Sequence, residues 1–454
     1  MQNMEQASKK QPIQLSDHFT YSRLIRFVLS PIFMMIFTSI YGVVDGLFVS
    51  NFVGKTPFAA INLIMPLLIV LGAVGFMLGT GGTAVVAKTL GMGQSSKANE
   101  YFSLIIYANI VSGIILAVLG IIFARPVAII LGAEGEMIEY CVVYSRIVLA
   151  ALPFFMLQNS FQSFFITAEK PKTGLAVIVV AGVTNMLLDG LFVGIFAWGL
   201  EGAALATALS QFVGGIVPII YFSRKNTGTL RLGKTGFYGR VLLGASVNGS
   251  SELMSNISAS IVTMLYNIQL IRFAGQDGVA AYGAMMYVGF IFVAIFIGFA
   301  IGSAPIVGFN FGADNRTELK SVFKKSVVIV SLTGFIMMLL AIVLSRPLSI
   351  LFVGYDEALC EMTRTGFIIF AVHYLFAGFN IFSSSFFTAL NNGVISAIIS
   401  FLRTIVFQCG AVILLPMLMQ SIDGIWYSVV AAELLTFVVT LAFIMAKRKR
   451  YGYA

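Results

Sequence analysis

Residues 52–65 read FVGKTPFAAINLIM, and residues 273–286, which begin 221 positions later, read FAGQDGVAAYGAMM. The match continues at the same offset and without a gap over a long stretch. It pairs Gly54 with Gly275, Gly81 with Gly302, Gly91 with Gly312, Phe102 with Phe323, Arg125-Pro126 with Arg346-Pro347 and Asn159 with Asn380. Identities at one constant offset over such a length are not expected by chance. The chain therefore contains one structural unit written twice.

Each copy is built from long apolar runs. The 454 residues are 59% hydrophobic and only 10% charged, with a mean hydropathy of +0.96, whereas roughly a quarter of the residues of a soluble domain are charged. Apolar runs of about 20 residues have the length needed to span a ~30 Å hydrocarbon layer. They are too long for barrel strands and do not alternate as barrel strands do. The composition predicts an all-α integral membrane protein.

A pass along the chain gives twelve candidate membrane spans, six in each copy. They are Leu24 to Ser50, Phe58 to Lys88, Phe102 to Ala124, Tyr140 to Gln162, Thr173 to Trp198, Gly202 to Phe222, Val241 to Ile271, Val279 to Phe309, Phe323 to Leu344, Thr363 to Leu390, Val394 to Leu418 and Gly424 to Met445. Because six is even, both copies start on the same side and are related by an axis along the membrane normal. We predict an N-terminal lobe (1–222), a linker (223–240) and a C-terminal lobe (241–454) around a central cleft.

The positions of Lys and Arg predict the orientation. With both termini cytoplasmic, 21 of the 28 basic residues fall in inside segments, including Lys9, Lys10, the linker set and Lys447 to Arg450. Lys55 and five arginines fall outside, as the positive-inside rule requires. We therefore expect a multi-pass protein of the inner cell membrane. Topology also accounts for the net charge of +9, so the charge does not indicate nucleic-acid binding.

The first copy carries two carboxylates within its spans. Asp189 lies four residues after Asn185, so the two side chains share a helical face, and Asp45 and Thr207 come from the first and sixth spans. If they approach one another, they form an all-oxygen set that suits Na⁺. The set would equally hold a proton, because two carboxylates in a low-dielectric pocket repel each other. The alternative is that these groups only bond neighbouring helices.

The second copy does not repeat these acids. Asp45 corresponds to Tyr266, and Asp189 falls near Gly410. An architectural role would more naturally be shared by both copies, so the asymmetry favours an ion site in the first lobe. Glu252, which corresponds to Pro31, is a separate acid on a polar stripe with Asn248 and Asn256. That stripe either lines the cleft or is a small-residue packing face. His373 and Arg403 are single polar residues whose roles the sequence leaves open.

Aromatic and methionine side chains predict an organic-cation pocket, because aromatic faces attract cations and methionine adapts to many shapes. The candidate cleft residues are Phe154, Phe155, Met156, Phe161, Tyr282 and Met286, with His373 and Asn380 beside them. The alternative is that they face lipid or the core.

Several function classes find no support. No GxxxxGK[ST] loop occurs, so an ion gradient would have to supply the energy. No catalytic constellation is present, and no cofactor is expected besides H⁺ or Na⁺ as a coupling ion. A passive bundle without a path through it would leave the polar groups in the spans without a purpose. We expect a transporter and not an enzyme.

These residues resemble the prokaryotic type of the multidrug and toxic compound extrusion (MATE) family. The likeness rests on VVDGLFVSNFVG around Asp45, the N-x-x-x-D at Asn185 and Asp189, and EGAALAT ending at Thr207. It implies antiport of H⁺ or Na⁺ against cationic, amphipathic drugs, with Asp45, Asn185, Asp189 and Thr207 at the coupling site and as ligands if the ion is Na⁺. It also implies that a seventh-span acid, here Glu252, contributes in the second lobe.

One departure from the family pattern concerns the tenth span. Some Na⁺-coupled relatives carry an acid there, whereas this chain has only His373 and Asn380, which argues against a second-lobe Na⁺ site. A flippase for a lipid-linked precursor remains an alternative, and it predicts a basic cleft. We expect a monomer whose partners are small organic cations and membrane lipid.

Overall fold

The computed structural model describes residues 13–453, without the side chains of Leu47 and Lys55. Lys9 and Lys10, which the charge argument counts, lie outside the described residues. Over this range the regular elements are all helical. The helices are α1 (Tyr21–Phe52), α2 (Lys55–Gly91), α3 (Ser95–Ile130), α4 (Glu136–Ala150), α5 (Leu152–Thr167), α6 (Pro171–Asp189), α7 (Gly199–Ser223), α8 (Gly239–Gly312), α9 (Arg316–Val353), α10 (Glu357–Ala371), α11 (Tyr374–Ala389), α12 (Gly393–Phe401), α13 (Cys409–Met419) and α14 (Asp423–Tyr451).

These helices make twelve membrane spans. Nine helical segments of the described chain are long and apolar enough to cross a bilayer, and two bent pairs, α4 with α5 and α10 with α11, raise the number to eleven. The 74 residues of α8 would extend for about 110 Å at 1.5 Å per residue, far more than one bilayer. Gly275 interrupts α8 with φ 62° and ψ −143°, so residues 239–274 and 276–312 are two spans. The prediction of an all-α fold with twelve spans is confirmed.

Four spans are less regular than the sequence predicts. The fourth bends by 54° between α4 and α5, and the tenth bends by 48° between α10 and α11. The two breaks are 221 residues apart, so they belong to the repeated unit. The fifth span continues from α6 as a π-helix (Gly190–Ile195), and a second π-helix (Leu402–Gln408) connects α12 to α13. The hydropathy pattern encodes neither the two bends nor the wider turns of the π-helices.

The two copies meet at the face of the molecule that carries residue 13 and Tyr453, which we call the terminal face. There α2 crosses the end of α8, and glycines let the backbones touch. A methyl group on Gly91 would overlap the carbonyl oxygen of Phe309, and one on Gly312 would overlap that of Lys88. Both pairs are related by the offset of 221, so this crossing lies on the pseudo-twofold axis. The proposed lobe boundaries at 222 and 241 remain predictions.

Candidate ion and substrate site

The structure brings the four oxygen-bearing residues of the first copy together. Asp45 comes from α1, Asn185 and Asp189 from the end of α6, and Thr207 from α7. The side chains of Asp189, Asn185 and Thr207 all approach the carboxylate of Asp45. Asn185 and Asp189 are buried, with relative exposures of 2% and 0%. The i, i+4 spacing and the packing of α1 against α6 and α7 therefore place two acids in one low-dielectric pocket.

Several oxygens of this cluster have no hydrogen-bonding partner among the described residues. They are Oδ1 of Asp45, both carboxylate oxygens of Asp189 and Oγ1 of Thr207. A buried polar atom left without a partner costs about 1–3 kcal/mol, and a charged one costs more. Lys and Arg do not approach the two acids in the described part of the chain, and no ion pair involves them. The donor set therefore fits a small cation or a proton.

A cavity of about 190 Å³ opens beside this cluster. Among the described residues that line it, Asp45 is the only charged one. The polar lining residues include Asn185, Thr207 and Gln211, and the apolar and aromatic ones include Tyr41, Met65, Ile69, Tyr144, Leu152 and Phe155. A cavity of ~150 Å³ accommodates a benzene ring, so this one has room for an aromatic group. Its chemistry suits an organic cation, because a carboxylate and aromatic side chains line the same cavity.

The polypeptide around the acids departs from ordinary helix geometry. The α-helix ends at Asp189, and the π-helix begins at the next residue. A π-helical turn accommodates an extra residue and is often found at functional sites. It also carries Phe192 towards Trp198, with ring centroids 4.9 Å apart, which packs the C-terminal end of the fifth span against the loop to α7. The side chain of Asp189 is thus held where the helix changes its winding.

The equivalent place in the second copy contains a neutral pair. Tyr266 stands at the position of Asp45, and Ser428 at the position of Thr207. Their hydroxyl oxygens are 2.7 Å apart, and the ring of Tyr266 stacks on Tyr282 with centroids 4.9 Å apart. The ring of Tyr266 occupies the place that the Asp45 site has in the first copy, and its hydroxyl forms a hydrogen bond with the hydroxyl of Ser428. The second copy therefore offers no pair of carboxylates at this position.

Glu252 lies apart from the first-lobe cluster, between the two copies. It borders a cavity of about 10 Å³, the size of one water molecule, with hydroxyl groups from α2 and α11 around it. Thr83 and Thr388 are among them. Asn248 on the same helix is already engaged, because its side chain pairs with Asn391 and accepts a hydrogen bond from Gly393 N. Part of the polar stripe therefore packs helices together, and Glu252 faces the space between the copies.

Glu433 is an intramembrane acid that the sequence reading missed. Its Oε1 lies 2.6 Å from Nη2 of Arg403 and accepts a second hydrogen bond, 2.7 Å long, from Arg403 Nε. Its Oε2 accepts from Nδ2 of Asn380 at 2.7 Å. The search for acids within spans that found Asp45 would have found Glu433 in AAELLTF as well. Arg403 is therefore not a lone cation, and Asn380 belongs to this ion-pair network rather than to a cleft wall.

The predicted aromatic cleft is only partly present. Phe155 lines the cavity beside Asp45, and Phe154 packs on Phe212 at 4.7 Å, while Met286 packs partly buried at the edge of the second-copy core. The other predicted members are buried in the interior of the helix packing: Met156 0%, Phe161 1%, Tyr282 7%, His373 3% and Asn380 1% exposed. His373 Nδ1–H donates a hydrogen bond of 2.5 Å to the carbonyl oxygen of Phe370. These five side chains are therefore packed between helices in this conformation.

Comparison with known proteins gives a consistent result. The MatE family model matches residues 31–191 and 253–411, one match in each copy. Multidrug export protein MepA of Staphylococcus haemolyticus is 25% identical over 365 residues, which cover 79% of this chain and 80% of the relative. MepA from a bovine strain of Staphylococcus aureus is 22% identical over 440 residues, or 95% and 94% of the two chains.

Solved structures show the same fold. A crystal structure of MATE in complex with MaL6 superposes with a TM-score of 0.91 at 20% identity, covering 98% of this chain and all of the other. An outward-facing multidrug resistance MATE family transporter of the MOP superfamily also gives 0.91, at 19% identity. The fold and the buried acids beside a cavity define a multi-pass membrane transporter. The chain belongs to the MatE family, whose members transport rather than catalyse, so the expectation that the chain is a transporter is confirmed.

Proposed function

We propose that the protein exports cationic, amphipathic compounds by antiport with H⁺ or Na⁺, and that cargo and coupling ion compete for the cluster of Asp45 and Asp189. The observation that carries this proposal is the cavity in the first copy, which among the described residues is lined by one charged side chain, the carboxylate of Asp45, together with aromatic and aliphatic side chains. The name of the MepA relatives, multidrug export protein, supports the same class of cargo.

Competition follows from the charge of the cluster. With both acids ionised and no basic partner, the pocket attracts an organic cation. Binding of H⁺ or Na⁺ supplies the missing positive charge and satisfies the orphaned oxygens, so the attraction for the cargo falls. An exchange cycle results if the ion binds the two conformations with different affinity. The two copies are in contact at the terminal face. The distribution of Lys and Arg predicts that this face is cytoplasmic. A conformation closed on that side suits release of the cargo to the outside.

The second copy supports the movement without repeating the site. Tyr266 and Ser428 replace the acid and the hydroxyl, and Arg403 supplies an internal positive charge for Glu433. Glu252 acts as a separate acid at the floor of the cleft, where groups of both copies surround it. We propose that one chain is the working unit, because both walls of the cleft come from the same polypeptide.

The flippase alternative is less compatible with these contacts. It predicts a basic cleft to hold a lipid-linked phosphate, but the wall of the first-copy cavity contains an acid and neither Lys nor Arg. Arg403, the cation in the middle of the eleventh span, is paired with Glu433.

The decisive experiment is ethidium efflux in proteoliposomes, driven separately by a Na⁺ gradient at equal pH and by a pH gradient without Na⁺. Asp45→Asn and Asp189→Asn should each reduce driven efflux at least tenfold, while the exposed Glu201→Gln in the same copy should leave it unchanged. Insertion is checked by the yield of folded protein. Unchanged efflux by both aspartate variants would overturn the proposal, and the gradient that drives the wild-type protein identifies the ion.

A further inference from the structure

A short segment before the first span contacts both copies at the terminal face. Residues 13–20 form a turn in which Asp17 N donates to Gln14 O at 3.2 Å, and Gln14 N donates to the Asp17 side chain at 3.1 Å. We call residues 13–20 the strap. Leu15 and Phe19 of the strap are 1% and 0% exposed. A segment of eight residues outside the spans is thus anchored by apolar burial.

The strap binds the first copy at one point. Leu15 N donates a hydrogen bond of 2.7 Å to Oε1 of Glu169. Glu169 lies in the connection between α5 and α6, and its backbone has a φ of 60°, which positions the side chain under the strap. A charge-assisted hydrogen bond of this kind contributes more than one between neutral groups. The anchor is therefore specific to the loop of the first copy.

The strap binds the second copy through two residues near the start of α9. Glu318 accepts from Phe19 N at 2.8 Å and lies 2.6 Å from His18 Nδ1. Lys325, two turns further along α9, donates to Phe19 O at 2.5 Å. Both backbone polar groups of Phe19 are thus satisfied by charged side chains of the second copy.

Apolar packing joins the same parts of the molecule. Leu15 and Phe19 belong to one buried cluster that contains residues of both copies. Its members include Leu24, Phe27 and Ile166 from the first copy and Val322, Phe386 and Tyr453 from the second. The strap therefore closes the terminal face across the boundary between the copies, where the glycine crossing of α2 and α8 also lies.

The linker before the seventh span is the equivalent of the strap. Residues 231–238 precede the seventh span as the strap precedes the first, and they bond to α3, which corresponds to α9. Arg231 N donates to Asn99 Oδ1 at 2.7 Å, Gly233 N donates to Ser103 Oγ at 3.0 Å, and Tyr238 OH lies 2.6 Å from Glu100 Oε2. Each segment is thus bonded to the copy opposite the one that it enters. The strap adds the hydrogen bond to Glu169 in the loop of its own copy, so both copies hold it.

We propose that the strap is a latch that stabilises the conformation closed at the terminal face, and that it must release Glu169 or Glu318 before the cleft opens there. The inference rests on the proposed exchange between two conformations. An opening movement separates the loop at Glu169 from the start of α9. The strap has a fixed length and is bonded to both of these parts, so it cannot move with both when they separate. Each hydrogen bond of the strap to Glu169 or Glu318 therefore lowers the fraction of time during which the terminal side is open.

Thiol labelling from the terminal side tests the latch without substrate or ion gradient, so its failure is distinguishable from failure of the transport proposal. In a chain whose three native cysteines are replaced by alanine, Thr83→Cys places a thiol at a site that is 4% exposed between the copies. Glu318→Ala and Glu169→Ala should each raise its labelling rate by a membrane-impermeant maleimide about tenfold, the effect of losing a hydrogen bond to a charged group. Arg316→Ala, which removes an exposed ion pair with Asp314, is the matched control and should leave the rate unchanged.

Unchanged labelling in both variants overturns the proposal, and so does an increase for Glu318→Ala alone, because the strap would then belong to the second copy only. A second measurement guards against misfolding. A cleavable thiol crosslinker between Ser16→Cys and Lys170→Cys should lower the labelling of Thr83→Cys below that of the same chain without crosslink, and reduction should restore it. Labelling that is indifferent to this crosslink likewise contradicts the latch.

Discussion

At the scale of single residues, substitutions at equivalent positions of the two copies distinguish residues of the proposed ion site from residues that only pack the helices. Thr207 and Ser428 occupy equivalent places, but only Thr207 adjoins two carboxylates. Thr207→Ala should lower the rate of ion-driven efflux about three- to tenfold, as expected for one lost oxygen ligand. Ser428→Ala removes a hydroxyl from the Tyr266 pair and should change efflux less than twofold. Equal losses in the two variants, measured as initial rates in proteoliposomes, would contradict a site confined to the first copy.

The pair of Arg403 and Glu433 gives a prediction about stability. The two side chains are 24% and 5% exposed, and removing one partner from such a pair leaves an uncompensated charge that costs about 3–5 kcal/mol. Arg403→Met should therefore lower the free energy of unfolding in a denaturing-detergent titration by about 3 kcal/mol. Arg403→Met combined with Glu433→Gln should recover most of the loss.

The exposed pair of Arg125 and Glu139 is the control for this experiment. Its side chains are 56% and 61% exposed, and exposed ion pairs contribute about 0–1 kcal/mol. Arg125→Met should therefore have little effect. If the double variant at 403 and 433 is no more stable than Arg403→Met alone, the two residues do not act as a pair.

How much of the site the sequence predicts depends on the kind of residue. Asp45, Asn185, Asp189 and Thr207 are predictable, because an acid within an apolar span is costly and therefore conspicuous. The cleft aromatics are not, because Phe and Met occur in contact with lipid, in the core and in cavity walls, and the sequence pattern does not distinguish these environments. Glu433 carries the same sequence signal as Asp45, an acid within an apolar span.

At the scale of the elements, Gly275 shows how the repeat is built. Gly54 and Gly275 are equivalent and have φ values of 100° and 62°, in a region that side chains disfavour. A Cβ at Gly275 would meet no atom within 4 Å. A substitution there therefore costs free energy only because the positive φ is unfavourable for a residue with a side chain. Gly275→Ala should lower the free energy of unfolding by about 1–2 kcal/mol.

Gly283 in the same helix provides the comparison. It also has open space around its Cα, but its backbone is helical, so Gly283→Ala should be neutral or should add up to about 1 kcal/mol of stability. Detergent titration of both variants distinguishes the effects, and equal effects would show that the backbone conformation at 275 is not what the glycine provides.

The helical spans are predictable from hydropathy, whereas their breaks are not. The fourth span bends after Ala150, where a proline follows at position 153, but the equivalent tenth span bends at the same place without one. The bend therefore reflects packing that the copies inherited, and no local residue signal marks it. The π-helices beside Asp189 and at Arg403 are likewise not marked by the hydropathy pattern.

At the scale of the whole molecule, the crossing of α2 and α8 fixes how closely the copies approach. Gly91→Val and Gly312→Val should each force the backbones apart at the terminal face and raise the labelling of a thiol at position 83 from that side. Gly244→Val is the control, because a Cβ at this position would meet no atom of a neighbouring element within 4 Å. If labelling rises in none of the crossing variants although the proteins fold, the helices do not depend on this contact for closure.

The same crossing bears on the history of the chain. Gly91 touches the carbonyl of Phe309 and Gly312 touches that of Lys88, so the contact is isologous, as in a homodimer with twofold symmetry. A six-span unit with this surface could pair with a second copy of itself in the same orientation, but two identical copies would carry identical residues at each position. In a single chain the two halves can differ, and here they differ at the equivalent positions of Asp45 and Tyr266.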